Sequence, residues 1–131
     1  MADVLIVDDN SDLRSLLAAI VSMAGHNVRE ASDGRGGLDA VTERSPDLVL
    51  LDVEMPVLNG PEMAYELFLR DLGNEKIPLV LLSGVVGLVE VATIVGTPYF
   101  LAKPYSPEAV LEIVDRALKE RTAPRPRLGV R

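Results

Sequence analysis

The feature that most constrains this chain is an alternation, five times over, of short apolar runs with longer segments of helical periodicity. The runs are Val4-Leu5-Ile6-Val7, the short Asn27 to Ala31 around Val28, Leu48-Val49-Leu50-Leu51, Ile77 to Leu82, and the weaker Tyr99-Phe100-Leu101. Short, unbroken, β-branched runs are what strands look like when helices cover both faces of a parallel sheet. The first helical segment, Asp12 to Ala24, places Leu13, Leu16, Leu17, Ile20 and Val21 on one stripe, with Ser11 as N-cap and Gly25 as stop. Gly34 to Arg44 is helical but starts poorly, because Gly36 and Gly37 each cost about 1 kcal/mol relative to alanine. Gly60 to Asp71 opens with Pro61, suited to a first turn, and Val86 to Val95 is a short apolar helix. Ser106 to Arg121 has Ser106 as cap and Pro107 in the first turn, with Val110, Leu111, Val114 and Leu118 facing inward. Such alternation predicts an α/β fold, a doubly wound five-stranded parallel sheet with five helices and right-handed crossovers.

A chain of 131 residues, 48% hydrophobic, has room for one real core and not for two ordinary domains. The fold is expected to occupy residues 1–121. Pro124 and Pro126 mark its end, and residues 122–131 read as a flexible tail or linker. The absence of cysteine excludes disulfides, thiolate metal sites and cysteine nucleophiles. The acidic start lacks the basic flank and long apolar run of a secretory signal, and no segment is apolar enough to span a membrane, so a cytoplasmic location is expected. A formal net charge of −7 argues against direct nucleic-acid binding. The one basic-leaning stretch, Lys119 to Arg131, has no aromatic residue on which a base could stack.

In a parallel α/β sheet, ligands bind beyond the carboxyl ends of the strands, where the strand order switches. The polar residues of this chain fall there. Asp8 and Asp9 follow the first run, Asp52 the third, Ser83 the fourth and Lys103 the fifth. Carboxylates gathered at strand ends repel one another and need a cation. Hard oxygen donors without His or Cys point to Mg²⁺ rather than zinc. A carboxylate is also a nucleophile toward phosphorus, and forms an aspartyl phosphate. Mg²⁺, Lys103 and the Ser83 hydroxyl supply the positive charge and donors that the arriving phosphoryl group requires. Taken singly, each element has a plainer reading as a turn, a loop acid or a solvated lysine; the joint placement carries the chemistry.

Four segments make the chain resemble the receiver domains of bacterial two-component response regulators, which have a flavodoxin-like fold, over roughly Asp3 to Arg121. They are Val4-Leu5-Ile6-Val7-Asp8-Asp9-Asn10, the stretch Asp47 to Gly60 around Leu51-Asp52-Val53-Glu54-Met55-Pro56, Leu81-Leu82-Ser83-Gly84, and Phe100-Leu101-Ala102-Lys103-Pro104-Tyr105. The resemblance implies that Asp52 is the phosphoacceptor. It implies that Asp9, Asp52 and the backbone carbonyl of Glu54 bind Mg²⁺ directly, with Asp8 acting through metal-bound water. Lys103 and Ser83 then contact the phosphate, and Phe100 is the aromatic switch that swings inward when the Ser83 hydroxyl moves. The implied donor is a phosphohistidine on a sensor histidine kinase or a histidine phosphotransfer protein. The implied output is a downstream protein target at the face made by the fourth helix, fifth strand and fifth helix.

The only histidine, His26, lies in a connection before a strand rather than on an exposed helix, so the donor histidine must come from elsewhere. Glu54 is placed to modulate phosphoryl lifetime, whereas Val85 offers no group to assist hydrolysis, so self-dephosphorylation is expected to be modest. The stretch from Val85 to Val95 is more apolar than one buried stripe requires, and a partner or a second copy of the chain would account for the surplus. Two rivals stand against the receiver reading. A hydrolase with an aspartyl nucleophile usually carries a second aspartate where Glu54 stands, so an enzyme proper is disfavoured. A phosphate-independent interaction module would have no need of the full set Asp8, Asp9, Asp52, Ser83 and Lys103.

Overall fold

The computed structural model describes residues 2–52, 63–84 and 88–125. Among these the order is β1 (Asp3–Asp8), α1 (Ser11–Met23), β2 (Asn27–Ala31), α2 (Gly34–Glu43), β3 (Leu48–Asp52), α3 (Met63–Asn74), β4 (Leu79–Ser83), α4 (Leu88–Val95), β5 (Tyr99–Ala102) and α5 (Pro107–Glu120). The strands form one sheet in the order β2-β1-β3-β4-β5, every neighbouring pair parallel. The expected doubly wound architecture is therefore present. Strand order reverses between β1 and β3, which opens a crevice at the carboxyl ends of those two strands.

The layers follow from the period-2 geometry of a strand. Leu5, Val7, Val49, Leu51, Leu79 and Leu81 pack toward α2, α3 and α4. The residues between them, Val4, Ile6, Leu48, Leu50, Val80 and Leu82, pack toward α1 and α5. All twelve are fully buried. Both faces of the inner strands are covered, so neither face needs polar residues, and the runs read as unbroken. The edge strand β2 is half-exposed and carries Asn27, Arg29 and Glu30, which is why its run is the hardest to see in the sequence.

Helix ends match the expected residues with small shifts. Asn10, not Ser11, caps α1: its side chain accepts from the Asp12 and Leu13 N–H groups at 3.0 and 3.1 Å. Gly25 follows that helix with φ +96°, a conformation in which glycine has no Cβ penalty. Leu17 and Val21 are the buried residues of α1, while Leu16, expected on the inner stripe, is exposed. Asp33 caps α2. Gly37, a poor helix former, sits where a Cβ would come within 3.0 Å of the buried Phe68 ring. Close packing of α2 on α3 accounts for that glycine. The Ser106 hydroxyl accepts from Ala109 N–H at 3.1 Å, with Pro107 in the first turn of α5, as expected. The expected starts of the third helix at Gly60-Pro61 and of the fourth at Val86 lie outside the described residues.

Residues 122–125 differ from the expected free tail. Arg121 adopts a left-handed conformation (φ 56°) and turns the chain back along the lower edge of the sheet. Thr122 N–H donates to the Tyr99 hydroxyl at 3.3 Å, Pro124 is buried, and Arg125 N–H donates to the Gly96 carbonyl at 2.9 Å. Gly73 and Lys76 at the end of α3 complete the cleft that receives this segment. The docking exists because Gly96, at φ +81°, carries no side chain: a Cβ there would overlap the Arg125 carbonyl.

Candidate functional site

The register of β1 against β3 places Asp8 directly beside Asp52 at the carboxyl ends of the two central strands. Both side chains are 1% exposed. Two adjacent buried carboxylates repel and are poorly solvated, so the surroundings must supply positive charge or donors. Lys103 supplies the charge, its Nζ standing 2.8 Å from Asp52 Oδ1. The Tyr105 hydroxyl donates to the other oxygen, Oδ2, at 3.0 Å. The turn that carries both groups follows β5. Lys103 N–H donates to the Ser83 carbonyl at 3.0 Å, which ties the end of β5 to the end of β4, and the Lys103–Pro104 peptide is cis. Ser83 itself is buried at the end of β4.

Asp8 is less well supplied. Its Oδ1 accepts from Asn10 N–H at 2.9 Å, within the turn that opens α1. Its Oδ2 is buried and, among the described residues, meets no hydrogen-bond donor. Burial pushes the Asp8 carboxyl up to about 6; the Asn10 N–H and Lys103 oppose that rise, and the Asp52 and Asp9 charges add to it. Arg14, one turn into α1, fixes the backbone here by donating from Nη1 to the Asp8 carbonyl at 2.8 Å.

A buried carboxylate oxygen without a donor, beside a second buried carboxylate, fits a hard divalent cation. Asp9 is exposed on the turn after Asp8, close enough for its charge to act on the Asp8 carboxyl. Among the described residues no three carboxylate or imidazole side chains gather closely enough to hold a metal ion. A cation here would draw on these carboxylates and complete its shell with water and other oxygens, as Mg²⁺ commonly does. Glu54 and Val85, assigned modulating positions from the sequence, lie outside the described residues.

Other singled-out residues fall as follows. Phe100 on β5 is 36% exposed and borders a shallow groove against Ala109, Glu112, Ile113 and Arg116 of α5. Among the apolar residues of α4 whose side chains are described, Val89 is exposed, while Ala92 and Val95 belong to the core. His26 accepts from Ala2 N–H at 3.0 Å and anchors the entry to β1, a structural task. Two contributors were missed in the sequence reading. Tyr105 enters it only as part of a motif, and Arg14 not at all. A phenol two residues beyond a strand-end lysine is a legible signal. An arginine reaching back to a carbonyl is not.

Known proteins resemble this chain along most of its length. The response regulator receiver domain family matches residues 4–115. The chemotaxis protein CheY of Thermotoga maritima is 35% identical over 117 residues, covering 88% of this chain and 97% of that protein. The response regulator MprA of Mycolicibacterium vanbaalenii is 37% identical over 123 residues, 92% of this chain but 52% of that protein. This chain thus spans nearly all of the former relative and about half of the latter. Among solved structures, the receiver domain of NtrX from Brucella abortus superposes with a TM-score of 0.74 at 33% identity, covering 89% of this chain and 98% of that one. Vibrio cholerae CheY4 superposes with a TM-score of 0.72 at 30% identity, covering 88% and 98%.

Proposed function

Because this chain belongs to the response regulator receiver domain family of two-component systems, we propose that Asp52 is its phosphoacceptor, taking a phosphoryl group from a phosphohistidine on a sensor kinase or phosphotransfer protein. The observation that carries the reading is the placement of a buried carboxylate at the end of β3 with the Lys103 ammonium 2.8 Å from one oxygen. In the transfer, an Asp52 oxygen attacks phosphorus and an O–P bond forms. The donor's N–P bond breaks, and its electron pair leaves with the imidazole. Lys103 is placed to follow the negative charge from the carboxylate onto the phosphoryl oxygens. Asp8, Asp9, Asp52 and the Glu54 carbonyl would hold Mg²⁺, whose charge, when bound, offsets that of the carboxylates and the incoming phosphate.

The output reading rests on β5. Phe100 stands half out of the sheet beside the α5 groove, the place from which an inward swing changes the surface a partner meets. Ser83, one strand inward, is placed to move toward the phosphate and free the space that swing needs. The downstream partner is then a protein docked across α4, β5 and α5, a second copy of the chain being one form of it. Glu54 would tune phosphoryl lifetime, and Val85 would add no hydrolytic help. The chain's own chemistry would be limited to accepting and slowly releasing phosphate. Among the described residues no helix is long and apolar enough to cross a membrane, and we place the protein in the cytoplasm, where such kinases present their phosphohistidine. The receiver unit would comprise residues 1–121, with the docked residues 122–125 leading to whatever follows.

The test is intact-mass measurement after incubation with Mg²⁺ and acetyl phosphate. One added phosphoryl group is expected on the parent chain, none on Asp52→Ala and none when Mg²⁺ is chelated. An adduct of equal yield on Asp52→Ala would overturn the assignment.

A further inference from the structure

Both oxygens of the proposed acceptor are already engaged among the described residues, one by a cation and the other by a phenol. Lys103 holds Oδ1 at 2.8 Å, and the Tyr105 hydroxyl donates to Oδ2 at 3.0 Å. The two partners differ in what they do during transfer. The lysine charge moves with the negative charge onto the phosphoryl group, so its contact with Asp52 exchanges for an equivalent one. The phenol is an O–H donor, and a hydrogen bond to a carboxylate is of the strong, charge-assisted kind. It draws electron density from the attacking carboxylate and occupies a lone pair of Oδ2. Its ring packs against the core cluster shared by α1 and α5, so the hydroxyl is held in place rather than drifting there.

We propose that Tyr105 is a brake on phosphorylation: its hydroxyl closes the acceptor carboxylate in the resting state and must release Oδ2 before the phosphoryl group is received. The inference rests on Asp52 being the acceptor. Its chemistry is a competition for lone pairs on one oxygen. With acetyl phosphate as donor, an Asp52 oxygen forms the new O–P bond and acetate departs with the electron pair of the broken one. The Tyr105 proton stays on the phenol throughout, so removing the hydroxyl deletes no proton donor or acceptor that the step needs.

The experiment compares initial rates of adduct formation for the full chain and for Tyr105→Phe, with acetyl phosphate and saturating Mg²⁺, followed by intact mass. Tyr105→Phe keeps the ring and its packing, and thermal unfolding of both chains checks that it does. A hydrogen bond from a neutral donor to a charged acceptor corresponds to roughly a 10-fold effect. Tyr105→Phe is expected to label about 10-fold faster, and to bind the phosphate mimic beryllofluoride more tightly by a comparable factor. Labelling of Tyr105→Phe at or below the parent rate, with unchanged thermal stability, overturns the brake; a slower rate would make the hydroxyl a donor to the transferring group instead. Adduct on the parent with an unchanged variant rate removes this inference alone. No adduct on either chain removes the Asp52 assignment and the brake with it.

Discussion

Asp8 and Asp52 occupy one of the least favourable places for a pair of acids, side by side at the ends of central strands and 1% exposed. Asp52 is compensated by Lys103 and Tyr105, and Asp8 by the Asn10 N–H and, at longer range, by the Lys103 charge. Burial therefore raises the Asp8 carboxyl to about 6. An acid raised in the folded state binds more protons folded than unfolded between about pH 4 and 6. Without divalent cations, stability is thus expected to fall as pH rises through that window, by roughly 1–3 kcal/mol. Chemical denaturation at pH 4.5 and pH 7.5 measures it, and Asp8→Asn should flatten the difference. Mg²⁺ competes with that proton, so its apparent affinity should drop steeply below pH 6. A Mg²⁺ affinity independent of pH between 5 and 7.5 would count against Asp8 as part of the cation site. Lys103→Ala removes the partner of a buried carboxylate. It should cost about 3–5 kcal/mol in the apo protein and leave phosphorylation uncoupled from any change around Phe100, read by the Phe100 ring resonances.

The element that most defies local propensity is α2. Its Gly36 and Gly37 looked like weaknesses, yet Gly36 N–H meets the Asp33 cap at 2.8 Å and Gly37 lets α2 press onto the Phe68 ring. Alanine at position 37 would gain about 1 kcal/mol of helix propensity. It would lose more to overpacking against a ring that is fully buried and has no room to retreat. A net destabilisation of about 1 kcal/mol is expected for Gly37→Ala by urea titration; stabilisation would mean that Phe68 can move. The strands were the readable elements, because residues buried on both sides leave unbroken runs. The edge strand β2 was faint for the converse reason. Cap identities shifted by one residue at α1, since Asn10 and Ser11 are both competent caps and only the backbone angles choose between them.

At the scale of the whole molecule, the last described residues close on the opposite end of the sheet from the carboxylates. Arg125 bonds Gly96 at the end of α4, and Tyr99 at the start of β5 receives Thr122 N–H while its hydroxyl donates to Glu120 at 3.0 Å. The segment leaving α5 is therefore anchored to α4 and β5, two of the elements that flank the Phe100 face. Gly96→Ala would force residues 122–125 off and place alanine at a positive φ, and is expected to cost about 2–3 kcal/mol. In a chain ending at Arg121 the same substitution should cost only the backbone part, about 1 kcal/mol. A double-mutant cycle between the two changes reads the difference; strict additivity would show that the docking contributes nothing.

The alternation of runs and helical stripes determined the fold class, and the strand-end positions of Asp8, Asp52, Ser83 and Lys103 marked the candidate site proposed above. Both are local in origin, since a strand end is a point in the sequence and parallel sheets bring such ends together by topology alone. Tertiary structure decided the rest. It buried Asp8 and left the adjacent Asp9 exposed. It set the Tyr105 hydroxyl on Asp52, and it docked residues 122–125 on Gly96. Those contacts join residues far apart in the chain, across 53 positions for Tyr105 and Asp52, and depend on side-chain direction and backbone clearance that periodicity and spacing do not encode.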